Sequence, residues 1–198
     1  MAQAFRRKGD RFVARMDPAE VAVLAGLMDQ TRALLHPDVT PTGDPFTDLV
    51  SSMEHQPGPG DGAPAEARDP ALRRLLPDAH RGDPEIAAEF RRLTEQSLRQ
   101  RKYANLTTAL EALAEAGPDG VTLTRPQAEA VLVALTDTRL LLGERLGLRT
   151  EEDTERLARE LATGQLDDPA GYAVAVYDFL TWLQDSLTRA LMGRRMFR

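Results

Sequence analysis

The 198-residue chain has no cysteine at all. That excludes a disulfide framework, a thiolate zinc site, a cysteine nucleophile and any thiol-based redox switch within it. It has one tryptophan, three tyrosines and three histidines. The histidines, His36, His55 and His80, are scattered, with no HExxH or paired spacing, so no metal ligand set is expected. Glu151 to Asp153 and Asp167–Asp168 lack the spacing of a calcium loop and are explained as helix starts. No serine sits in a nucleophile elbow. The glycines between Gln56 and Pro64 have no following Lys-Ser or Lys-Thr, which a phosphate-binding loop requires. No catalytic residue, cofactor-binding residue or cofactor is therefore expected, and the chain does not read as an enzyme. No apolar run is long enough to span a bilayer, and the N-terminus does not have the form of a secretory signal. The expected location is cytoplasmic, without membrane contact.

What is present is helical periodicity. The most apolar stretch begins at Asp168–Pro169, a side-chain acceptor followed by a preset φ, and runs to Met192. Ala173, Val176, Tyr177, Leu180, Leu183, Leu187 and Leu191 recur on one face, and Tyr172, Ala175, Phe179 and Trp182 form a second strip. A helix apolar on two sides is buried on two sides or presents one to a partner. The first reading puts 169–192 at the centre of the fold. The second makes Phe179 and Trp182 a homodimer interface. Further helices are expected from Asp17–Pro18 to His36, from Asp44 through Met53, over 71–76, over 85–116, from Thr124 to about Leu146, and over 151–163. The Pro/Gly-rich residues 56–68 read as a mobile loop.

Two short strands are expected around 12–16 and 120–124. Shifting the chain by 108 aligns Val13, Pro18, Ala22, Val23, Leu24, Leu27, Asp29 and Leu34 with Val121, Pro126, Ala130, Val131, Leu132, Leu135, Asp137 and Leu142. Each unit is a strand, a capped proline turn and an amphipathic helix. The two strands would pair as a ribbon backed by helices. The expected fold is mainly α: one domain over 1–198, a helical bundle with a small two-stranded β ribbon and a central C-terminal helix.

Three constellations stand out as sites. Arg91, Arg92, Arg99, Arg101 and Lys102, with Arg73 and Arg74 as an extension, read as a contact surface for an acidic protein or as a solvated face, and Arg91, Arg92, Arg99 and Lys102 of them fall partly along one helix side. The modest basic balance, with a formal net charge of −6 on the chain, argues against nucleic acid as a partner on its own. Arg139, on an apolar helix face, needs a partner, and Asp178 or Asp137 could supply it; a structural ion pair to Asp178 is preferred, and a ligand anchor is the alternative. Gln184 reads as a hydrogen-bonded core group. Both chain ends are also basic: Arg6, Arg7, Lys8 and Arg11 at one, Arg189, Arg194, Arg195 and Arg198 at the other.

The segments Leu72 to Pro77, Ala88 to Glu95, Ala134 to Gly143 and Tyr177 to Gln184 resemble an actinobacterial family of unassigned function whose best-known member is the oxidative-stress transcriptional regulator AosR. The resemblance covers nearly the whole chain. It implies a cytoplasmic, non-enzymatic regulator that works by protein contact with the transcription machinery, through a stress sigma factor or RNA polymerase. It acts there on genes of sulfur and cysteine metabolism, with a cysteine pair as redox switch. A chain without cysteine cannot carry that switch. An adaptor homodimer with no role at promoters is the alternative.

Overall fold

Aspartate or threonine one or two residues ahead of a proline starts three of the described helices, because the side chain accepts the first free N–H groups while proline presets the helical φ. The computed structural model describes residues 2–36, 69–77, 84–163 and 168–193. Among them run β1 (Arg6–Lys8), β2 (Arg11–Ala14), α1 (Pro18–Leu34), α2 (Pro70–Leu75), α3 (Pro84–Ala114), β3 (Val121–Leu123), α4 (Arg125–Arg145), α5 (Glu151–Ala162) and α6 (Asp168–Met192). The fold is mainly helical with one small antiparallel sheet. The short helix expected at 44–53 and the loop at 56–68 lie outside the described residues.

The expected ribbon is present: Phe12 pairs with Leu123, Val13 with Thr122 and Ala14 with Val121. It carries a third strand that the sequence did not announce. β1 lies antiparallel to β2 and makes the sheet order β1-β2-β3. Three consecutive cations give β1 no apolar alternation to read, and all three of its residues are exposed.

The helix with neighbours on most sides is α4. It packs against α1, α2, α3, α6 and the sheet, and buries Ala128, Val131, Ala134, Leu135 and Leu141. The C-terminal helix α6 buries one side, Leu180, Leu183 and Leu187, against it. The end of α1 is held on α3 by Tyr103, whose ring meets the edge of His36 at 5.6 Å and lies under Arg32 at 5.9 Å.

The two strand–helix units are related in space, with a shift of 107 rather than 108. Asp17 and Thr124 cap α1 and α4, and both close capping boxes, with Glu20 and Gln127 respectively. Counting from the caps, buried Ala14, Met16, Leu24, Met28 and Thr31 correspond to buried Val121, Leu123, Val131, Leu135 and Thr138. Proline enters α1 one position earlier than it enters α4, and that difference misled the sequence alignment. One residue turns a helix by about 100°, which would set buried Leu24 against half-buried Leu132. Equivalent residues also meet: Ala14 pairs with Val121 in the sheet, and Thr31 donates to Thr138 at 3.4 Å between the helices. Two self-equivalent contacts define a pseudo-two-fold axis through the sheet and the α1–α4 seam.

Candidate functional site

The five basic residues expected to form a contact surface do not share one free face. On α3, positions 95, 99 and 102 point inward and 101 outward, as a 3.6-residue period requires. Arg99 is largely buried and donates to Glu95 at 3.1 Å. Lys102 is turned into the core, where its Nζ donates to the Asp137 carboxylate of α4. That is a correction to its reading as a partner residue: its apolar stem lies along the α3–α4 seam and its charge is used there. Arg101 is exposed. The side chains of Arg91 and Arg92 lie outside the described residues.

Asp137 is only 2% exposed at its side chain. Burial pushes its carboxyl above the ordinary aspartate value, against the opposing hydrogen bond and charge of Lys102. Its second oxygen, Oδ2, is buried without a hydrogen-bond partner. Asp137 matched Asp29 in the 108 shift, but the two have different surroundings: Asp29 is exposed and accepts from Arg32 at 2.6 Å.

Arg139 does not pair with Asp178. Its Nη1 donates to Gln184 Oε1 at 2.6 Å, its Nη2 donates to the Tyr177 hydroxyl at 3.3 Å, and its guanidinium lies 5.1 Å over the Tyr177 ring. Asp178 is one residue from Tyr177 but exposed, on the far side of α6. A neutral amide and an aromatic face satisfy most of the cation without burying a second charge. Gln184 is the hydrogen-bonded group the sequence suggested: it also donates from Nε2 to Thr136 Oγ1 at 2.8 Å.

Sequence reasoning missed Glu144. Its side chain is 8% exposed, and it accepts from Arg74 Nε at 2.9 Å and from Arg149 Nε at 3.0 Å. Arg74 donates in addition to the Leu148 carbonyl at 3.2 Å. Glu144 therefore ties α2 to the turn that ends α4, where Gly147 at φ 71° closes a Schellman motif through Leu148 N–H to the Gly143 carbonyl. A glutamate in the last turn of a helix, against the dipole and between two arginine-bearing segments, was the available signal. Burial raises its pKa, but the two arginines' hydrogen bonds and charges together outweigh burial and leave the carboxyl below the usual glutamate value of 4.5. A depressed pKa stabilises the fold above the unfolded value and the contribution is lost as pH falls through the folded one. Glu144→Ala is therefore expected to lose about 1–3 kcal/mol at neutral pH. The gap to the parent should shrink on acidification below the ordinary glutamate range. Urea midpoints measured down the pH scale check both; a gap that stays constant would refute the assignment.

In the second strip of α6, Tyr172, Ala175 and Trp182 are exposed, while Phe179 is half-buried against the core. Phe179 and Trp182 are stacked with centroids 6.1 Å apart, Trp182 is 40% exposed and Tyr172 more so. At the other end of α6, the basic strand β1 lies beside the last turns, which carry Arg189. Buried Phe5 donates its N–H to Ser186 Oγ at 3.1 Å, which fixes β1 beside the last turns of α6. Phe5, Arg6, Arg7 and Gly9 face Arg189, Ala190 and Gly193 across an open groove.

Among the described residues no cluster of three or more metal-ligating side chains occurs, and no helix is long and apolar enough to cross a membrane. Both buried carboxylates with displaced pKa values, Asp137 and Glu144, are held by cations in ion pairs between elements. What the arrangement offers the outside is charge and apolar surface.

A sequence family described as "Domain of unknown function (DUF2017)" matches residues 2–191. The oxidative stress regulator AosR of Mycobacterium tuberculosis and that of Mycobacterium bovis are each 31% identical to the chain over 204 residues, covering 96% of this chain and 86% of the relative. The putative oxidative stress regulator AosR of Mycobacterium leprae is 31% identical over 203 residues, covering 93% and 84%. No solved structure matches.

Proposed function

The chain belongs to the DUF2017 family, and from that membership we propose that it is a regulator of the response to oxidative stress that works by protein contact and catalyses no reaction. The observation that carries this reading is the 31% identity, over 96% of the chain, to proteins named oxidative stress regulators. The partner proposed is a component of the transcription machinery, a stress sigma factor or RNA polymerase itself, met in the cytoplasm. The trigger differs from a thiol switch, because the chain has no cysteine to oxidise.

Surface chemistry is consistent with contact as the mode of action. Arg101 on α3 and the strip of Tyr172, Phe179 and Trp182 on α6 offer a charged and an apolar area. The test is capture with the full chain as bait and RNA polymerase assembled with individual sigma factors as prey. Enrichment of one holoenzyme over a matched control is expected, and it should weaken in the triple charge reversal Arg91→Glu, Arg92→Glu and Arg101→Glu. If nothing is enriched and the chain sediments as a dimer that Trp182→Glu dissociates, the adaptor-homodimer reading replaces this one.

A further inference from the structure

We infer that the basic sheet face and the groove along the free edge of β1 form a docking site for an extended acidic peptide segment of a partner protein, bound by strand addition. The inference names a surface for the protein contact proposed above and rests on that reading only for its biological setting. The physical case stands on the sheet itself.

Strand pairing places Arg6 opposite Val13 and Lys8 opposite Arg11. Residues opposite one another in a sheet share a face. Phe12 and Ala14 are buried on the inner face, so Arg6, Lys8, Arg11 and the following Arg15 share the outer one. All four are exposed. Among the described residues, Arg6, Lys8 and Arg15 make no ion pair, and Arg11 has only Asp10 at 4.0 Å, itself 93% exposed. Lys8 directly opposite Arg11 is a like-charge cross-strand pair, which destabilises a hairpin. The chain accepts that repulsion on a protein whose formal net charge is −6.

β1 is the edge of the sheet, and among the described residues no strand pairs with its outer side; Phe5 N–H before it is taken by Ser186 of α6 and the Gly9 carbonyl after it by Arg7 Nε, so the open stretch is Arg6–Lys8. The groove beside it, about 590 Å³, is walled on the other side by Arg189, Ala190 and Gly193 at the end of α6. An exposed edge is a template for another strand, and cations along it repel an identical edge. The same cations favour a strand of opposite charge. In an extended peptide, alternate side chains repeat at about 6.6–6.8 Å, the spacing of Arg6 and Lys8 along β1. Acidic side chains at that repeat would lie opposite the two cations as cross-strand pairs, while the peptide backbone bonds the free edge.

Two features favour a peptide over nucleic acid. The aromatic side chains nearest the face, Phe5 and Phe12, are buried and cannot stack on bases. A phosphate backbone can only accept hydrogen bonds, whereas a strand edge presents both donors and acceptors.

The test is fluorescence anisotropy with the full chain and a labelled peptide of alternating Glu and Thr, alongside single-stranded and duplex DNA of similar charge. The peptide is expected to bind, and more weakly as salt rises. The double variant Arg6→Glu/Lys8→Glu should bind about tenfold more weakly or worse, with a melting temperature no lower than the parent's, because both side chains are exposed and the reversal at position 8 removes the like-charge pair with Arg11. Arg159→Glu, an exposed charge reversal on α5, should leave peptide binding unchanged. Peptides N-methylated at alternate backbone positions keep their charge; one of the two phases should abolish binding and the other should preserve it. Equal or tighter binding of DNA, or equal binding of both methylated phases, would reduce the face to a general polyanion surface and overturn the proposal. So would no binding by the unmethylated peptide. None of these outcomes touches the capture of a polymerase holoenzyme, so failure here and failure of the regulator reading remain distinct.

Discussion

Lys102→Met is expected to destabilise the protein by about 3–5 kcal/mol, because it leaves the Asp137 carboxylate charged and buried with no cation. For a chain of this size that corresponds to a fall in melting temperature on the order of 10 °C. The reason lies in the seam between α3 and α4. Asp137 is 2% exposed, Oδ2 has no hydrogen-bond partner, and Lys102 is the cation bonded to Oδ1. Burial already raises the carboxyl's pKa against the opposing effect of Lys102. An acid with a raised folded pKa favours the folded state most below its unfolded value, and that contribution is lost as pH rises through the folded one. Removing Lys102 raises the folded pKa further, so the variant should recover part of its deficit on acidification, as the carboxyl takes up a proton. The double variant Lys102→Met/Asp137→Leu removes both charges and is expected to return to within about 1–2 kcal/mol of the parent, or to exceed it. Chemical denaturation of the three proteins at neutral and mildly acidic pH decides the matter. A single-variant loss below about 1 kcal/mol, within the range of exposed pairs, would show that the pair is solvated.

Gly120→Ala should be comparably severe and for a different reason. Gly120 has φ 108°, and a Cβ built there would lie 2.2 Å from the Ala14 carbonyl oxygen and 2.8 Å from the Met16 nitrogen. Both obstacles are backbone, so no side chain can swing aside. The strain of that φ alone is worth about 1–3 kcal/mol, and relieving the clash requires β3 to move off β2 where Ala14 pairs with Val121. A total loss of about 3 kcal/mol or more is expected, with early hydrogen exchange at the β2–β3 amides. Gly26→Ala is the control. That glycine lies inside α1, where an added Cβ would meet nothing within 4 Å, and alanine there should stabilise by about 0.4–1 kcal/mol. Equal effects at the two positions would refute the assignment of Gly120 to a close backbone approach.

Much of the fold was legible because its signals are local. A capping side chain, a proline at the first turn and a 3.6-residue apolar period act within one helix, so α1, α2, α4 and α6 could be read nearly to their ends. The capping box of α5, Thr150 with Asp153, was also readable: Asp153 accepts from Thr150 N–H at 3.0 Å, and Thr150 Oγ1 accepts from Asp153 N–H at 3.2 Å. The duplicated strand–helix plan could be seen but was one residue out, since shared Ala and Leu positions outvoted the caps. β1 could not be read, because three exposed cations carry no burial pattern and the strand exists only by pairing with β2.

The candidate sites were less legible, and the residues say why. Arg139 and Gln184 were recognised as polar groups on apolar faces, but Tyr177 and Gln184 won over Asp178 because the rotation of α6 on α4 decides which side chains reach the guanidinium. Lys102 reads as one of a row of cations, yet the turn of α3 aims it at Asp137, 35 residues away.

By itself the sequence determined the helical class, the caps, the strand–helix repeat and the absence of thiol chemistry, because each depends on residue type or on neighbours within a few positions. Only the tertiary structure decided which charges are used up in the core and which remain outside. It turned Lys102 and Glu144 inward, and it brought the cations of β1 and Arg189 of α6 to one groove. Burial and pairing of a charge depend on contacts between distant elements, and no local pattern encodes them.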